Sequence, residues 1–137
     1  MTQRTLLLLK PDAVRRGLVG NILSRFEAKG LTVVAMEQRR ISADQADQHY
    51  AEHVERDFYP PLRAFVTSGP LVAAVLEGDE SVDVVRAING ATDGRKAASG
   101  TIRGDLSLSN RENLVHGSDS PKSAEREIKL WFPDLEA

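Results

Sequence analysis

The segment 113–127, "NLVHGSDSPKSAERE", places a histidine between an apolar run and a glycine. Histidine can be a metal ligand, a proton carrier or a nucleophile. Gly117 leaves space beside the His116 ring, and Glu127 lies about two helical turns into the helix that follows. A carboxylate on one imidazole nitrogen fixes the tautomer and leaves the other nitrogen free to attack, with Ser118 able to bridge the two groups. On the local sequence alone, the alternative is a buried histidine satisfied by backbone contacts.

Basic side chains are the candidates for binding phosphate, because the chain has neither a Walker A sequence nor a G-x-G-x-x-G motif after a strand. Arginine suits bidentate phosphate contacts, and lysine supplies a point charge. For each one alone, the ordinary interpretation is a solvated surface charge. Lys10 is a stronger candidate, since it ends an apolar strand. The full set of candidates is Lys10, Arg86, Arg103 and Arg111, with Thr92 and Asn113 as uncharged donors.

Two histidines and several aromatic residues stand close together between residues 49 and 59. His49 and His53 have the i, i+4 spacing of zinc ligands on a helix, but the H-E-x-x-H form is absent and no third ligand is evident. We therefore expect both to be solvated polar positions. Tyr50 is expected to point its hydroxyl into a pocket. Phe58 and Tyr59 indicate either the edge of the core or a stacking platform for a ring, with nothing in the sequence to choose between them.

The composition predicts an ordinary globular domain. The chain has 137 residues, of which 41% are hydrophobic and 28% charged, with a formal charge of -2. A nucleic-acid-binding protein usually carries a basic excess, so we expect no nucleic acid partner. The lack of cysteine excludes disulfides and thiolate metal sites. We see neither a signal peptide nor a membrane span and expect a cytoplasmic protein.

Hydrophobic periodicity and capping signals predict alternating strands and helices. Strands are predicted at residues 5–9, 31–39 and 69–78. Helices are predicted at 20–29, ending at Gly30, and from Ser42 to about 51, where Ser42 and Gln45 form a capping-box pattern. Residues 57–66 are predicted to form a short helix or turn, and Ser81 opens another helix with Val82, Val85 and Ile88 facing inward.

The last part of the chain combines a long irregular segment with a strand and a helix. Residues 89–111 contain four glycines and show no clear period, which predicts a functional loop. Leu114 and Val115 form a brief strand reaching His116. Ser120 caps a final helix with Pro121 at its first position, and Ile128, with Ala124 and Trp131, faces inward.

This order predicts a single α/β domain over residues 1–137. The expected fold is a ferredoxin-like βαββαβ sandwich, in which four mostly antiparallel strands carry helices on one face.

Five segments together strongly resemble nucleoside diphosphate kinase, in particular the short, actinobacterial-like bacterial forms. They are "RTLLLLKPDAVRRGLVG", "HYAEH", "FVTSGPLVAAVLEG", "GTIRGD" and "NLVHGSDSPKSAEREI". The resemblance covers almost the whole chain, and its second-last and last segments are highly specific. It implies the ferredoxin-like fold. It also implies transfer of the terminal phosphoryl group of a nucleoside triphosphate, usually ATP, to a nucleoside diphosphate, by ping-pong exchange through a phosphohistidine.

The resemblance also assigns roles to particular residues. His116 is the implied nucleophile through Nδ1, with Glu127 and Ser118 supporting it. The residues implied to hold phosphates and ribose are Lys10, which also acts in catalysis, Tyr50, Arg86, Thr92, Arg103 and Asn113. Phe58 and Leu62 are implied to pack on the base, which suits a broad substrate range because a ring face carries no hydrogen-bond code. Mg²⁺ is implied as the cofactor, carried by the nucleotide phosphates and not by protein ligands.

The resemblance further implies a homo-oligomer, with a hexamer favoured over a tetramer or dimer. The chain departs from the family at Asp57–Tyr59, at the proline-poor loop 93–100 and at Asn110, none of which touches the phosphoryl chemistry. Two alternatives are a catalytically silent nucleotide-binding regulator on the same fold and a nucleic-acid-binding module, since ferredoxin-like sheets can bind RNA through aromatic residues. The presence of His116, Lys10 and Arg103 favours the enzyme, and the net charge and the absence of an aromatic-rich strand disfavour RNA binding.

Overall fold

A computed structural model describes residues 2–136 and contains one antiparallel sheet in that range. The strands lie in the order β2-β3-β1-β4, which is the ferredoxin-like arrangement predicted from the sequence. Their bounds are β1 Thr2–Leu9, β2 Thr32–Arg39, β3 Leu71–Asp79 and β4 Val115–Gly117. The helices are α1 Pro11–Arg15, α2 Val19–Lys29, α3 Ala43–His49, α4 Tyr59–Val66, α5 Ser81–Asn89, α6 Ile102–Leu106 and α7 Pro121–Trp131.

Helices cover both faces of the sheet, so the prediction of helices on one face was wrong. Side chains alternate across a strand, and Leu7 and Leu9 of β1 pack in a core that includes residues of α2 and α5. Leu6 and Leu8 pack on the opposite face, in a core that includes Trp131 of α7. All four leucines are almost fully buried. The unbroken leucine run follows from this double cover, because a strand buried on both faces has no polar side.

The predicted helix ends are formed as the sequence indicates. The hydroxyl of Ser42 accepts a hydrogen bond from the backbone N–H of Gln45, and that of Ser120 accepts one from Ser123. Gly30 closes α2 in the left-handed conformation at φ 103°. The structure therefore confirms these three start and stop signals.

Two short helices were missed, and some boundaries move. Pro11 follows the first strand and is the first residue of α1, a position where its missing N–H costs nothing. The segment 89–111 contains α6, which is capped by Thr101 through the N–H of Gly104. The final strand begins at Val115 and ends at Gly117, so it includes His116. The helix from Ser42 ends at His49, earlier than predicted.

The pairing of β1 with β4 brings distant segments of the chain together. Leu8 lies opposite His116 in the antiparallel register. Just beyond β1, the backbone N–H of Lys10 donates to the carbonyl oxygen of Leu114 at 2.8 Å. The side chains that follow β1 are therefore placed beside those that precede and follow His116. Within residues 2–136, the helices are all too short or too polar to cross a bilayer.

Candidate active site

His116 is held by a carboxylate through one ring nitrogen. Its Nε2 lies 2.9 Å from Oε1 of Glu127 in α7, and the Glu127 side chain is buried. The carboxylate accepts a hydrogen bond from Nε2–H, so the other nitrogen, Nδ1, keeps its lone pair in the neutral ring. The predicted pairing of His116 with Glu127 is present in the structure.

Ser118 supports the carboxylate and does not bridge it to the ring. The Ser118 hydroxyl donates to the same Oε1 of Glu127 at 2.8 Å and accepts a hydrogen bond from the backbone N–H of Leu6. One carboxylate oxygen thus accepts hydrogen bonds from both the imidazole of His116 and the hydroxyl of Ser118. The bridging arrangement predicted from the sequence was wrong, because His116 reaches Glu127 directly.

Gly117 lines the cavity beside His116 and also allows α5 to pack closely. A Cβ at this position would lie 3.0 Å from Nδ2 of Asn89 and 3.0 Å from Cγ1 of Val85. The absence of a side chain therefore lets α5 approach β4 closely. The expected space beside the His116 ring is present, and the packing against α5 is a second role that the sequence did not indicate.

Lys10 and Asn113 form a buried pair at the end of β1. Nζ of Lys10 donates to Oδ1 of Asn113 at 2.7 Å, and Nδ2 of Asn113 donates to the carbonyl oxygens of Thr92 and Asn110. Asn113 therefore orients Lys10 and closes the loop, with its amide hydrogens already engaged. Burial, followed by the nearby charge of Arg103, lowers the pKa of Lys10 to about 7.

Arg103 joins three backbone segments around the same point. Its guanidinium donates to the carbonyl oxygens of Asn113, Gly90 and Val115 at 3.3, 2.9 and 2.6 Å. Burial, and then the charge of Arg86, lowers the pKa of Arg103 to about 10, so it stays charged at neutral pH. A guanidinium has five N–H donors, which leaves two for a ligand.

Asp12 is a site residue that the sequence analysis missed. Its Oδ2 accepts a hydrogen bond from the backbone N–H of Leu114 at 3.1 Å. Leu114 adopts a positive φ of 75°, which is strained for a residue with a branched side chain. Asp12, together with the backbone bond from Lys10, therefore fixes the turn that leads into His116. The signal in the sequence was the aspartate following Lys-Pro, which the strand prediction passed over.

The aromatic residues Tyr50, Phe58 and Tyr59 have three different environments. Tyr59 is almost fully buried and donates its hydroxyl to Asp47 at 2.7 Å, so it belongs to the structural core. Phe58 is about half exposed and lines the cavity beside Leu62. The Tyr50 hydroxyl is buried without a partner among the described residues, and burial raises the pKa of Tyr50, so the hydroxyl remains a donor. The structure thus assigns Tyr59 to the core and Phe58 to the cavity, a choice that the sequence left open.

His49 is buried beside His116, so the prediction of a solvated position was wrong for it. Only 4% of His49 is exposed, and its ring centroid lies 4.6 Å from that of His116, with the planes nearly perpendicular. Nε1 of Trp131 donates to Nδ1 of His49 at 3.0 Å. Sequence spacing could not reveal this because Trp131 comes from the far end of the chain.

All the predicted site residues line one open cavity or support its wall. The cavity has a volume of about 1140 Å³. Basic side chains outnumber acidic ones in its lining, which favours an anionic ligand. The basic residues are Lys10, Arg86, Arg103, Arg111 and Arg126, and the acidic ones are Glu52, Asp119 and Glu127. Tyr50, Phe58, Leu62, Thr92, Asn110, Asn113 and His116 also line it, whereas Ser118 lies behind the wall.

One group in residues 2–136 could offer nitrogen and oxygen ligands to a metal ion. A ring nitrogen of His49, a ring nitrogen of His116 and a carboxylate oxygen of Glu127 lie within 4.8 Å of one another. Imidazole suits transition metals, whereas Mg²⁺ prefers oxygen ligands and retains water. These three residues therefore do not fit a protein-bound Mg²⁺.

Comparison with known proteins identifies the family. The family model described as nucleoside diphosphate kinase matches residues 3–137. The chain belongs to the nucleoside diphosphate kinase family. Members of this family are phosphotransferases that act on nucleotides and generally depend on a divalent cation.

Individual relatives agree along their whole length. The chain is 81% identical over 135 residues to a nucleoside diphosphate kinase of Nocardioides sp., with 98% of this chain and 100% of the relative covered. It is 62% identical to the enzyme of Rhodococcus erythropolis, with 98% of each covered. Among solved structures, a nucleoside diphosphate kinase of Halobacterium salinarum in complex with CDP is 44% identical, with a TM-score of 0.96 over 100% of this chain and 93% of that one.

Proposed function

We propose that this single domain, residues 1–137, transfers the terminal phosphoryl group of a nucleoside triphosphate to a nucleoside diphosphate through a phosphohistidine at His116. The observation that carries this proposal is the bond from Nε2 of His116 to Glu127 at 2.9 Å. In the first step, Nδ1 attacks the γ-phosphorus, the bond to the bridging oxygen breaks, and a nucleoside diphosphate leaves. In the second step, a terminal oxygen of the acceptor diphosphate attacks the same phosphorus and the N–P bond breaks.

The cationic side chains supply most of the stabilisation in this scheme. Charge on the transferring phosphoryl group is spread over its oxygens, so positioning and cations matter more than covalent chemistry. Lys10, Arg86 and Arg103 line the cavity with His116. The arginines are positively charged, and a bound phosphate favours the charged form of Lys10. Thr92 and Tyr50 add hydroxyl donors for phosphate or ribose, and Asn113 acts through Lys10. Glu127 and Ser118 hold the nucleophile.

The base is proposed to pack against Phe58 and Leu62. Phe58 exposes about half of its surface while lining the cavity, and Leu62 lies beside it. Contact through the face of a ring does not depend on the donors and acceptors along a base edge. The site therefore accepts different nucleosides in turn.

Mg²⁺ is proposed to enter on the phosphates of the nucleotide. A cation bridging phosphate oxygens neutralises charge that develops during transfer. The carboxylates of Glu52 and Asp119 line the cavity, and hydrogen bonding from Ser123 lowers the pKa of Asp119, which keeps it ionised. They are the groups able to contact the water shell of such a cation. We place the enzyme in the cytoplasm, where nucleoside triphosphates are available as donors.

Intact-protein mass spectrometry tests this function. Mixing with Mg-ATP and no acceptor is expected to add one phosphoryl group, which GDP removes as GTP appears. His116→Ala is expected to abolish the gain, while His53→Ala, which changes another cavity histidine, is expected to retain it. If nucleotide binds but wild-type protein gains no phosphoryl group, the chain is a silent nucleotide-binding regulator.

We also propose a homo-oligomer, with a hexamer favoured over a tetramer or dimer. Strand β2 lies at an edge of the sheet, and exposed strand edges are normally covered or protected. Met36 on this strand is 54% exposed, and Leu108, after α6, is 86% exposed. These two separate apolar positions fit the two kinds of contact that a hexamer built from dimers requires.

A further inference from the structure

The tautomer of His49 is fixed by its bond to Trp131. An indole nitrogen can only donate, so the 3.0 Å bond from Nε1 of Trp131 requires a lone pair on Nδ1 of His49. In a neutral imidazole, the proton must then sit on Nε2. Burial, followed by the charge of His116, holds the pKa of His49 well below its ordinary value, so the ring is neutral at physiological pH.

The Nε2–H group of His49 is a buried donor that lacks a partner among the described residues. Buried donors are normally satisfied, so a specific unsatisfied one calls for an acceptor that arrives with a ligand. The ring packs edge-on against His116 and Tyr50, with both centroid distances at 4.6 Å. The ring that carries this donor therefore packs against His116, and His49 is one of the residues that line the cavity.

The same bond excludes a metal ion as the missing partner. A metal on Nε2 needs a lone pair there, which would place the proton on Nδ1, facing the N–H of Trp131. The two N–H groups would oppose each other in a buried contact. An anionic acceptor fits the fixed tautomer, and a cation does not.

We propose that Nε2–H of His49 donates a hydrogen bond to an oxygen of the phosphoryl group while that group is carried on Nδ1 of His116. The inference rests on the proposed function, since it requires His116 to be phosphorylated. The rings of His49 and His116 are in edge-to-face contact, and one ring nitrogen of each lies within 4.8 Å of the other, so an oxygen of a phosphoryl group on His116 has to reach His49 from the cavity side of this contact. Hydrogen bonds to charged groups are among the stronger ones, so the donor stabilises the transferring group.

Two matched substitutions test the donor. The amide of His49→Gln can place an N–H where Nε2 stands, whereas His49→Asn matches only the Nδ1 end and lacks the donor. His49→Asn is expected to slow phosphorylation of His116 by ATP about 10- to 100-fold, the size expected for a hydrogen bond to a charged group. His49→Gln is expected to recover most of the rate, and the dissociation constant for ADP is expected to be similar in both. Rapid-quench single turnovers and calorimetry measure these quantities.

Nitrogen NMR of the wild-type protein provides a test that does not depend on variant stability. We expect the Nε2–H tautomer of His49 before phosphorylation and a changed Nε2 shift afterwards. An Nδ1–H tautomer would overturn the inference, as would an unchanged shift or equal rates for wild type and both variants. Failure of the wild-type protein to become phosphorylated would instead overturn the proposed function.

Discussion

At the scale of single residues, Glu127 determines which nitrogen of His116 is free. Replacing its carboxylate with the amide in Glu127→Gln keeps the shape but removes the charge that accepts from both His116 and Ser118. A hydrogen bond to a charged group contributes about 1.5–3 kcal/mol, so we expect phosphorylation by ATP to slow about 10- to 100-fold. Rapid-quench measurement of the phosphoenzyme gives the rate.

Ser118→Ala is the matched control for this prediction. It removes the second hydrogen bond to the same oxygen but leaves the direct contact between His116 and Glu127. The rate is therefore expected to fall less than in Glu127→Gln. Equal losses in the two variants would contradict the assignment of Glu127 as the group that orients the ring.

We expect Lys10 to make the affinity for nucleotide depend on pH. Its pKa of about 7 means that the buried amine loses its proton above neutrality, whereas a bound phosphate favours the charged form. Binding of ADP at pH 8 is therefore expected to take up a proton, and the affinity is expected to fall as pH rises above 7. Calorimetry in two buffers with different protonation enthalpies measures the uptake. Lys10→Gln is expected to abolish it, and unchanged uptake in that variant would assign the proton to another group.

The free energy of unfolding is expected to depend on pH through Lys10 in the direction opposite to that of nucleotide affinity. The unfolded chain keeps the lysine proton up to its ordinary pKa of 10.5, while the folded chain loses it near 7. Between these values the unfolded state binds more protons, so the contribution of Lys10 to the free energy of unfolding rises with pH. Deprotonation of Lys10 at higher pH is thus expected to weaken nucleotide binding and to increase the free energy of unfolding.

The residues that could be predicted from sequence were those with a local signal. His116 precedes a helix that begins at a clear serine cap, so Glu127 could be placed near its ring. His49 could not be placed, because its burial depends on contact with Trp131, which lies 82 residues later in the chain. The fold of the intervening strands brings the two residues together. The sequence predicted solvated positions for His49 and His53, which is wrong for His49.

At the scale of elements, α1 and the turn before β4 are locked together through Asp12. Leu114 is held in a left-handed conformation that costs about 1–2 kcal/mol for a residue with a side chain. Asp12→Ala leaves the Leu114 N–H without its acceptor, so we expect a loss of about 1–3 kcal/mol in the free energy of unfolding and slower phosphorylation of His116. Urea denaturation and rapid quench measure the two effects.

Asp12→Asn is the matched control, because the amide keeps one oxygen that can accept from Leu114. It is expected to retain most of the stability. A stability equal to that of Asp12→Ala would mean that charge, and not the hydrogen bond, secures the turn.

The elements missed by sequence reasoning are the two five-residue helices. Both α1 and α6 are too short to show a helical period, and isolated helices of this length are not stable in water. Their formation depends on tertiary contacts, such as the burial of Ile102 of α6 in the core that α2 and α5 also form. Longer elements such as α2, α5 and α7 carried enough periodicity and capping signal to be predicted.

At the scale of the whole molecule, double burial of the central strand explains both the fold and the position of the site. The leucines of β1 separate two cores, and the polar residues that follow them emerge at one end of the sheet beside β4. The apolar run predicted a buried strand at residues 5–9, where the structure has one, but not which helices cover each face. That choice depends on long connections whose paths have no local signature.

The exposed apolar residues Met36 and Leu108 allow the proposed hexamer to be tested as two separate contacts. They lie on different elements, the edge strand β2 and the segment after α6. Introducing a charge into either contact places it against an apolar partner surface, which is costly to desolvate. Met36→Glu and Leu108→Glu are therefore expected to give two different smaller assemblies, while each chain keeps its fold because both side chains are exposed.

Light scattering coupled to size-exclusion chromatography measures the masses, and circular dichroism checks the fold. Glu55→Gln provides a surface-charge control and is expected to leave the wild-type mass unchanged. If Met36 and Leu108 both contribute to closed contacts of a hexamer, the double variant must be smaller than either single variant, because losing one contact leaves the other to hold a dimer or a trimer. A wild-type monomer, or a hexamer unaffected by both charges, would contradict the proposed assembly.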